Sequence, residues 1–230
     1  MGQKWKALAA LSVVALAFTS LADAALTENY QYKRTAQDDA KAGAIVFQRS
    51  DLPLALKSLK GGRIKPDETP ATSKDRCDGY LPKQSDLAIT GDAESRYSDG
   101  GLLAFDTQVS LFKTAAMASL DWSRQSPTMN ASCIRKAAAN ANSGESLASV
   151  IRLPSIPCGC QNASFALEVS YSHPGKPNSH YVFVATELRL GRAEASVLTT
   201  LREVDATAKR VALNVQSGVL KAVQSRLTST

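Results

Sequence analysis

The chain has 230 residues, of which 44% are hydrophobic and 21% are charged, and its formal net charge is +6. These values are typical of a chain that buries one sizeable core, and nothing in the sequence repeats at a fixed period, so we expect one domain. The basic excess is mild: it either favours anionic surfaces or solubilises an ordinary exported domain, and it does not indicate a nucleic-acid partner.

The first 24 residues have the pattern of a secretory signal peptide. Two lysines precede an apolar run from Ala7 to Phe18, and small residues at 22–24 follow it. The run is too short to span a bilayer, and no second long apolar stretch follows. We therefore expect cleavage near Ala24, a secreted or cell-envelope exterior location without a transmembrane segment, a flexible leader over residues 25–34, and a single domain over residues 35–230.

The elements alternate irregularly along the first half of the chain. Thr35 is placed to cap a helix over residues 36–48, and the segment 57–71, rich in glycine and proline, predicts a long exposed loop. Alternating apolar residues predict two strands, 87–97 and 103–111, which an Asp-Gly signal joins into a hairpin. The segment 112–125 then predicts a helix capped by Thr114.

The second half predicts one more helix, a meander and a closing helix. Residues 128–142 are rich in alanine and predict a helix, and three or four short strands follow between residues 149 and 201. Valine or leucine then recurs every four residues from Val211 to Leu227, which predicts an amphipathic C-terminal helix packed on the sheet. Hairpins separated by helices favour an α+β fold with a mostly antiparallel sheet covered by helices.

Four cysteines are the chemically distinctive residues. Secretion favours disulfides, and the pairing we expect is Cys77 with Cys133 and Cys158 with Cys160. Cysteines two apart on a flat strand lie near the upper limit for bridging, about 6.8 Å between Cα atoms, so Gly159 must fold the backbone more tightly. A redox role for the short Cys-Gly-Cys ring and a four-cysteine zinc site are the alternatives, and the isolated positions of Cys77 and Cys133 disfavour zinc.

Other candidate chemistry is sparse. His173 and His180 flank one proline-rich turn, and no third ligand accompanies them, so we predict neither a metal site nor a cofactor. The one aromatic and charged cluster is Asp121, Trp122 and Arg124, which predicts the edge of a ligand cleft between helix and sheet if it is not simply part of the core.

Three segments carry a family resemblance: "AGAIVFQRSDLP", "RCDGYLPKQSDLAITGDAESRYS" and "LDWSRQSPTMNASCIRKA". They resemble a family of uncharacterised secreted actinobacterial proteins over about residues 36–227. The order of hairpin, helices, meander and final helix is also similar to the extracellular sensor domains of mycobacterial serine/threonine kinases. This resemblance implies a disulfide-held α+β domain with a cleft. Signalling is not implied, because neither a kinase nor a transmembrane segment accompanies the domain here.

Three functional hypotheses follow. The leading one is a secreted, non-catalytic, sensor-like binding domain that holds a small or lipid-like ligand, or an envelope protein, in a cleft beside the sheet. The second is a hydrolase of unfamiliar type, which requires His173 or His180 to meet a nucleophile or carboxylate within hydrogen-bond reach. The third is a structural interaction protein with no ligand, which works through an exposed apolar patch.

Overall fold

The computed structural model describes residues 30–66, 84–125, 145–173, 176–203 and 207–229. Within these ranges the chain forms one sheet of eight strands and three α-helices. The strands are β1 (Gln31–Tyr32), β2 (Lys60–Ile64), β3 (Ala88–Ser98), β4 (Leu103–Phe112), β5 (Glu145–Arg152), β6 (Gln161–His173), β7 (Lys176–Leu190) and β8 (Ala193–Glu203). The helices are α1 (Ala36–Ile45), α2 (Ala115–Gln125) and α3 (Ala208–Thr228).

The sheet has the strand order β1-β3-β4-β8-β7-β6-β5, with β2 also paired to β3. The short β1 pairs with β3 in parallel, and the other strand pairs are antiparallel. The predicted α+β class, the first hairpin, the meander and the C-terminal helix are confirmed.

One face of the sheet, here called the inner face, packs on α1 and α3. Phe47, Tyr97 and Phe105 meet edge-on or tilted in its core, with ring centroids 5.4 to 6.0 Å apart. As predicted, the Thr35 hydroxyl caps α1, where its Oγ1 accepts a hydrogen bond from the Asp38 amide at 3.2 Å. The opposite face of the sheet is called the outer face. The helix α2 packs near it, against β4 and β8.

The valine stripe of α3 is only partly core. Val219, Val223 and Leu227 are buried, whereas Val211 is 42% exposed and Ala212 takes its place against the sheet. A spacing of four residues exceeds the helical repeat of about 3.6, so the stripe rotates by about 40° at each step. The N-terminal end of the stripe therefore turns away from the core.

Two sequence-based boundaries differ from the structure. The predicted loop 57–71 contains the edge strand β2, because Gly61 and Gly62 let the chain lie against β3: a Cβ on Gly61 would come within 2.0 Å of the Arg96 carbonyl oxygen. Of the predicted flexible leader, residues 25–34, only residues 30–34 are described, and there the Gln31 amide donates to the Leu87 carbonyl oxygen at 2.8 Å. The described fold therefore begins before Thr35.

The Cys-Gly-Cys segment forms the expected staple. A disulfide joins Cys158 and Cys160, their Cα atoms are 5.0 Å apart, and Gly159 has a φ of +62°. This is the tighter turn that the sequence required, and glycine adopts it without steric cost. Cys77 and Cys133 lie outside the described residues, so their pairing stays a prediction. The predicted helix over residues 128–142 lies outside them as well.

Among the described residues, no helix is both long enough and apolar enough to cross a bilayer.

Candidate functional site

The outer face of the sheet carries two cross-strand rows of polar residues. The first row runs from β3 to β6 and contains Asp92, Ser110, Glu194, Arg189 and Gln161. The second row lies beside it and contains Glu94, Gln108, Ser196 and Glu187. A third row starts with Arg96 and Asp106 and then becomes apolar at Leu198 and Ala185. Polar side chains thus occupy one half of the outer face.

Carboxyl groups dominate this polar half. We call the carboxyl-bearing part the acidic face and define it by Asp92, Glu94, Asp106, Glu187 and Glu194, with Asp121 of α2 above it. Two guanidinium groups accompany these carboxyl groups in the three rows, those of Arg96 and Arg189. The full chain has a net charge of +6, so the acidic face is a local concentration of carboxyl groups and does not reflect the composition of the chain.

The other half of the outer face is apolar. Phe165, Leu167, Val169 and Phe183 are at most 2% exposed and form a cluster with Val150 and Leu198. The acidic face is therefore bounded along the strands by a packed hydrophobic region, which lowers the local polarity around its nearest carboxyl groups.

Burial raises the pKa of several carboxyl groups of the acidic face. It raises the pKa of Asp92 to about 7 and that of Glu187 to about 8. The pKa of Asp106 is raised as well, again chiefly by burial, although the Arg96 guanidinium opposes the shift. A carboxylate is costly to ionise when water is excluded and the surrounding charges have the same sign. Asp92 and Glu187 therefore hold protons at a pH where exposed carboxyl groups are fully ionised.

Asp121 of α2 is the centre of a buried polar network and has no exposed surface. Its carboxylate oxygens accept hydrogen bonds from the Tyr30 hydroxyl at 3.0 Å and from the Gln125 amide at 2.5 Å. Gln84 donates in turn to the Tyr30 oxygen at 2.6 Å. Because it lies beneath Ala115–Gln125, this network joins α2 to the start of the described chain and to the strand edge.

Glu194 completes the network from the sheet. Its carboxyl group donates a hydrogen bond to the Asp121 carboxylate, and its pKa is raised well above the ordinary value by burial and then by the Asp121 charge. Burial raises the pKa of Asp121 too. The two side chains share a proton, as closely spaced buried carboxyl groups do.

Three atoms of the first row lack a hydrogen-bond partner. In the part of the chain that the structure describes, four buried side-chain atoms have none, and they include Asp92 Oδ2, Glu194 Oε1 and Arg189 Nε. Buried polar atoms are paired in the great majority of protein structures. Within the described residues, the first row therefore holds most of the buried side-chain atoms that lack a partner.

The structure separates the three residues that the sequence grouped on α2. Asp121 faces the sheet and belongs to the acidic face. Arg124 donates two hydrogen bonds to the Asp86 carboxylate, at 2.7 and 2.9 Å, and Trp122 is half-buried on a different side of the helix. A ligand-binding role for Trp122 and Arg124 stays a prediction.

His180, the histidine whose side chain is described, lies away from the acidic face. His180 is exposed on β7, and its Nδ1 lies 2.7 Å from the Ser170 hydroxyl on β6. The side chain of His173 lies outside the described part. Within the described residues, no group of three or more histidine, cysteine, aspartate or glutamate side chains is placed to hold a metal ion.

The acidic face was missed at the level of sequence because its residues are scattered. Asp92 and Glu94 lie in one strand, and Glu187 and Glu194 lie about 100 residues later in two others. The available signal was the alternation itself, which places the acidic residues of each strand on one side of the pleat, as for Asp92 and Glu94 in β3. The strand register then brings them together, and register cannot be read from one strand alone.

Neither a protein-family model nor a curated protein matches the chain. Among solved structures, the extracellular domain of PknH from Mycobacterium tuberculosis is similar, with a TM-score of 0.43 and 15% sequence identity. The match covers 80% of this chain and 96% of that chain. The predicted resemblance in layout to such an extracellular domain is confirmed, and it carries no information about a ligand.

Proposed function

We propose that the protein is an exported, non-catalytic binding domain that holds a small, positively charged ligand against the acidic face. The observation that carries the proposal is the alignment of carboxyl groups in adjacent cross-strand rows, with Asp121 above them and few basic side chains among them. A cation on this face lowers the energy of the ionised carboxylates, because opposite charge stabilises them where water does not.

The burial of the acidic face supports a small ligand over a large partner. The side chains of Glu94 and Asp106 are 13% and 19% exposed. Carboxyl groups that expose so little surface are reached by a compact ammonium or guanidinium group more readily than by a broad protein surface. Export is supported by the signal-peptide pattern of the first 24 residues.

Proton release should accompany binding. At pH 6 the carboxyl groups of Asp92 and Glu187, with pKa values of about 7 and 8, are mostly protonated. A bound cation lowers these pKa values, so binding expels protons and the affinity rises from pH 5 to pH 8. This pH dependence distinguishes a site of buried carboxyl groups from ordinary surface attraction, which is nearly constant over that range.

Thermal unfolding with and without ligand tests the proposal. The protein lacking residues 1–24 is heated with putrescine, spermidine, arginine or lysine, or with citrate as the anionic control, at one ionic strength and at pH 5 and pH 8. We expect the cations to raise the melting temperature more at pH 8. The variant Glu187→Gln should reduce this shift, and Glu168→Gln, which removes an acid from the inner face, should not. Equal shifts for cations and citrate, or an unchanged shift in Glu187→Gln, would contradict the proposal.

A lipid-like ligand or an envelope partner is the alternative occupant. Native mass spectrometry of the protein recovered from its secreting cell separates these cases. A retained adduct with the mass of a lipid would contradict the cation proposal, and a small basic adduct would support it.

A hydrolase is the second candidate, and one observation favours it. The Ser170 hydroxyl and His180 Nδ1 are 2.7 Å apart, which is the distance of a nucleophile from its base. A fluorophosphonate probe tests this pair. Labelling of Ser170 that disappears in His180→Ala would support an enzyme, and absence of labelling would leave the pair as a cross-strand hydrogen bond.

A further inference from the structure

One stretch of the chain forms a basic surface at the edge of the sheet. We call it the basic edge and define it as residues 49–66, which include the short turn Leu54–Leu56 and the edge strand β2. It contains one acidic residue, Asp51, and five basic residues, all of them exposed: Arg49, Lys57, Lys60, Arg63 and Lys65. The basic edge is therefore strongly positive, although the basic excess of the whole chain is mild.

The positive charges of the basic edge are not compensated by the protein. The Asp51 carboxylate already pairs with the Arg226 guanidinium of α3. Arg49 and Lys57 donate to backbone carbonyl oxygens, those of Leu59 at 3.0 Å and of Arg49 itself at 3.2 Å. In the part of the chain that the structure describes, none of the five bases forms an ion pair with a carboxylate. An anionic partner can therefore reach these charges without displacing an internal ion pair.

A displayed leucine lies among these bases. The Leu54 side chain is 89% exposed, the highest value for a large hydrophobic side chain within the described ranges. The neighbouring leucines are placed in the ordinary way: Leu52 and Leu59 are 3% and 4% exposed, and Leu56 packs against the core. The basic edge thus buries or packs three of its four leucines and presents the fourth to solvent.

Hydrogen bonds hold the turn that presents Leu54. The Lys57 amide donates to the Leu54 carbonyl oxygen at 3.2 Å, which closes the turn. The Arg49 guanidinium donates to the carbonyl oxygens of Lys57, Leu59 and Gly61 at 3.4, 3.0 and 3.2 Å. A single exposed leucine is common on protein surfaces. Here the bonds from Arg49 connect the turn to β2, so Leu54 and the bases belong to one surface.

We propose that the basic edge docks the protein on a membrane surface that contains anionic phospholipid, with Leu54 inserted below the headgroups and the bases against the phosphates. Apolar burial and attraction to anionic headgroups act together in peripheral membrane segments of this composition. Lys60 and Lys65 lie at the two ends of β2, which places their charges about 16 Å apart along the edge. The proposal uses no residue of the acidic face, so it stands or fails independently of cation binding there.

Vesicle flotation tests the proposal. The protein recovered from its secreting cell is floated with vesicles of phosphatidylcholine alone, or of equal parts phosphatidylcholine and phosphatidylglycerol. We expect binding to the mixed vesicles alone, and loss of that binding as salt rises from about 0.1 M to about 1 M, because salt screens exposed charges. Equal binding to the two kinds of vesicle would overturn the proposal.

Two double variants test the bases. Lys60→Ala combined with Lys65→Ala should weaken binding to the mixed vesicles about 25-fold, at about fivefold for each base. Lys113→Ala combined with Arg152→Ala is the matched control, because it removes two exposed bases that lie outside the basic edge. It should change binding little. Equal weakening by the two double variants would show that net charge alone attracts the protein and would overturn the proposal.

A pair of leucine variants tests the insertion. Leu54→Ser should weaken binding to the mixed vesicles about tenfold, because the buried apolar side chain is lost. Leu120→Ser is the control, since Leu120 is a 41% exposed leucine on α2, and it should leave binding unchanged. A tryptophan introduced by Leu54→Trp should be quenched by brominated acyl chains, and one introduced by Leu120→Trp should not. Absence of quenching in Leu54→Trp would contradict insertion.

Soluble polyphosphate separates a membrane from an anionic polymer as the partner. We expect polyphosphate to bind more weakly than the mixed vesicles, because it offers no apolar layer for Leu54. If polyphosphate binds as tightly as the mixed vesicles and Leu54→Ser weakens neither, the partner is an anionic polymer and the membrane proposal is overturned.

Discussion

Glu194 of β8 and Asp121 of α2 share a hydrogen bond between their carboxyl groups, and the Glu194 side chain holds the proton. The bond joins the outer face of the sheet to the helix above it. Because both groups are buried, ionising the second carboxyl costs more than ionising the first. The contact therefore stabilises the packing of α2 at low pH and weakens it at high pH.

Glu194→Gln is the direct test of this pair. A glutamine amide donates to Asp121 as the protonated acid does, but it cannot ionise. We expect the variant to unfold within about 1 kcal/mol of the unaltered protein at pH 5 and to be the more stable of the two at pH 8, as judged by urea unfolding. A variant less stable than the unaltered protein at pH 8 would contradict the shared proton.

Glu168→Gln provides a control in which the change in stability at pH 8 should have the opposite sign. Glu168 lies on the inner face, and its hydrogen bond from Lys209, 2.5 Å long, lowers its pKa. Its ionised form is therefore the stabilising one. Removing that charge should lower stability at pH 8, by no more than about 1 kcal/mol because the pair is partly exposed.

The pH dependence of stability should reflect the acidic face. The pKa values of Asp92 and Glu187 are raised to about 7 and about 8, against about 4 in an unfolded chain. Between these values the folded state binds more protons than the unfolded state, so the free energy of unfolding falls as pH rises through 7 and 8. We expect a decline from pH 5 to pH 9 in urea unfolding, flattened in Asp92→Asn combined with Glu187→Gln. An unchanged slope in the double variant would show that other groups cause it.

The ion pair between Asp38 and Arg192 should contribute most to the loss of stability at acidic pH. Arg192 also donates to Thr90 Oγ1 and to the Phe112 carbonyl, at 3.2 Å each, so it ties α1 to the ends of three strands. The hydrogen bond from Arg192 lowers the pKa of Asp38 to about 2. The stability that this group contributes is therefore present above pH 4 and is lost as pH falls toward 2.

Arg192→Met removes that pair. We expect a loss of about 2 kcal/mol at pH 7 in urea unfolding, because the Asp38 carboxylate is then left 9% exposed without its main partner. Arg124→Met, which breaks the more exposed pair with Asp86, should cost at most about 1 kcal/mol. Equal losses for the two variants would show that burial does not set the strength of the Asp38 pair.

The Cys158–Cys160 disulfide should contribute less than the asparagine beside it. Asn162 Oδ1 accepts from the Ile156 amide at 2.8 Å, and Asn162 Nδ2 donates to the Ile156 carbonyl at 2.9 Å, so one side chain holds the loop at both groups. A ring this short restricts the unfolded chain by only about 1.5 kcal/mol. We expect Asn162→Ala to cost as much as, or more than, replacing both cysteines by serine, by thermal unfolding. If the serine variant were completely unfolded while Asn162→Ala stayed folded, the disulfide would be the larger contribution and this prediction would be refuted.

The sequence predicts the fold class because its signals are local. The Thr35 cap, the Asp-Gly hairpin and the alternation in the strands each depend on a few neighbouring residues, and the structure confirms them. The strand β2 was missed because its glycines are typical of loops, and only contact with β3 makes them a strand. Local patterns thus identify elements, and they fail where a partner strand decides the conformation.

The candidate site depends on long-range register and was largely inaccessible to sequence reasoning. Asp121 was a candidate in the sequence because it stands beside a tryptophan on a predicted helix. Its partners Tyr30 and Glu194 are 91 and 73 residues away along the chain, and no spacing rule connects them. The pairing of β4 with β8, which is a crossover in chain order, creates the first row.

Carboxyl-detected NMR of the labelled protein tests the central claim most directly. Its side-chain carboxyl resonances are followed as lysine is added at pH 7 and constant ionic strength. We predict that the resonances of Asp92, Glu187 and Glu194 move toward the ionised position while that of Glu168 on the inner face stays in place. Movement of the inner-face carboxyl groups alone, or no movement of the acidic face at saturating lysine, would contradict a cation-binding function for this surface.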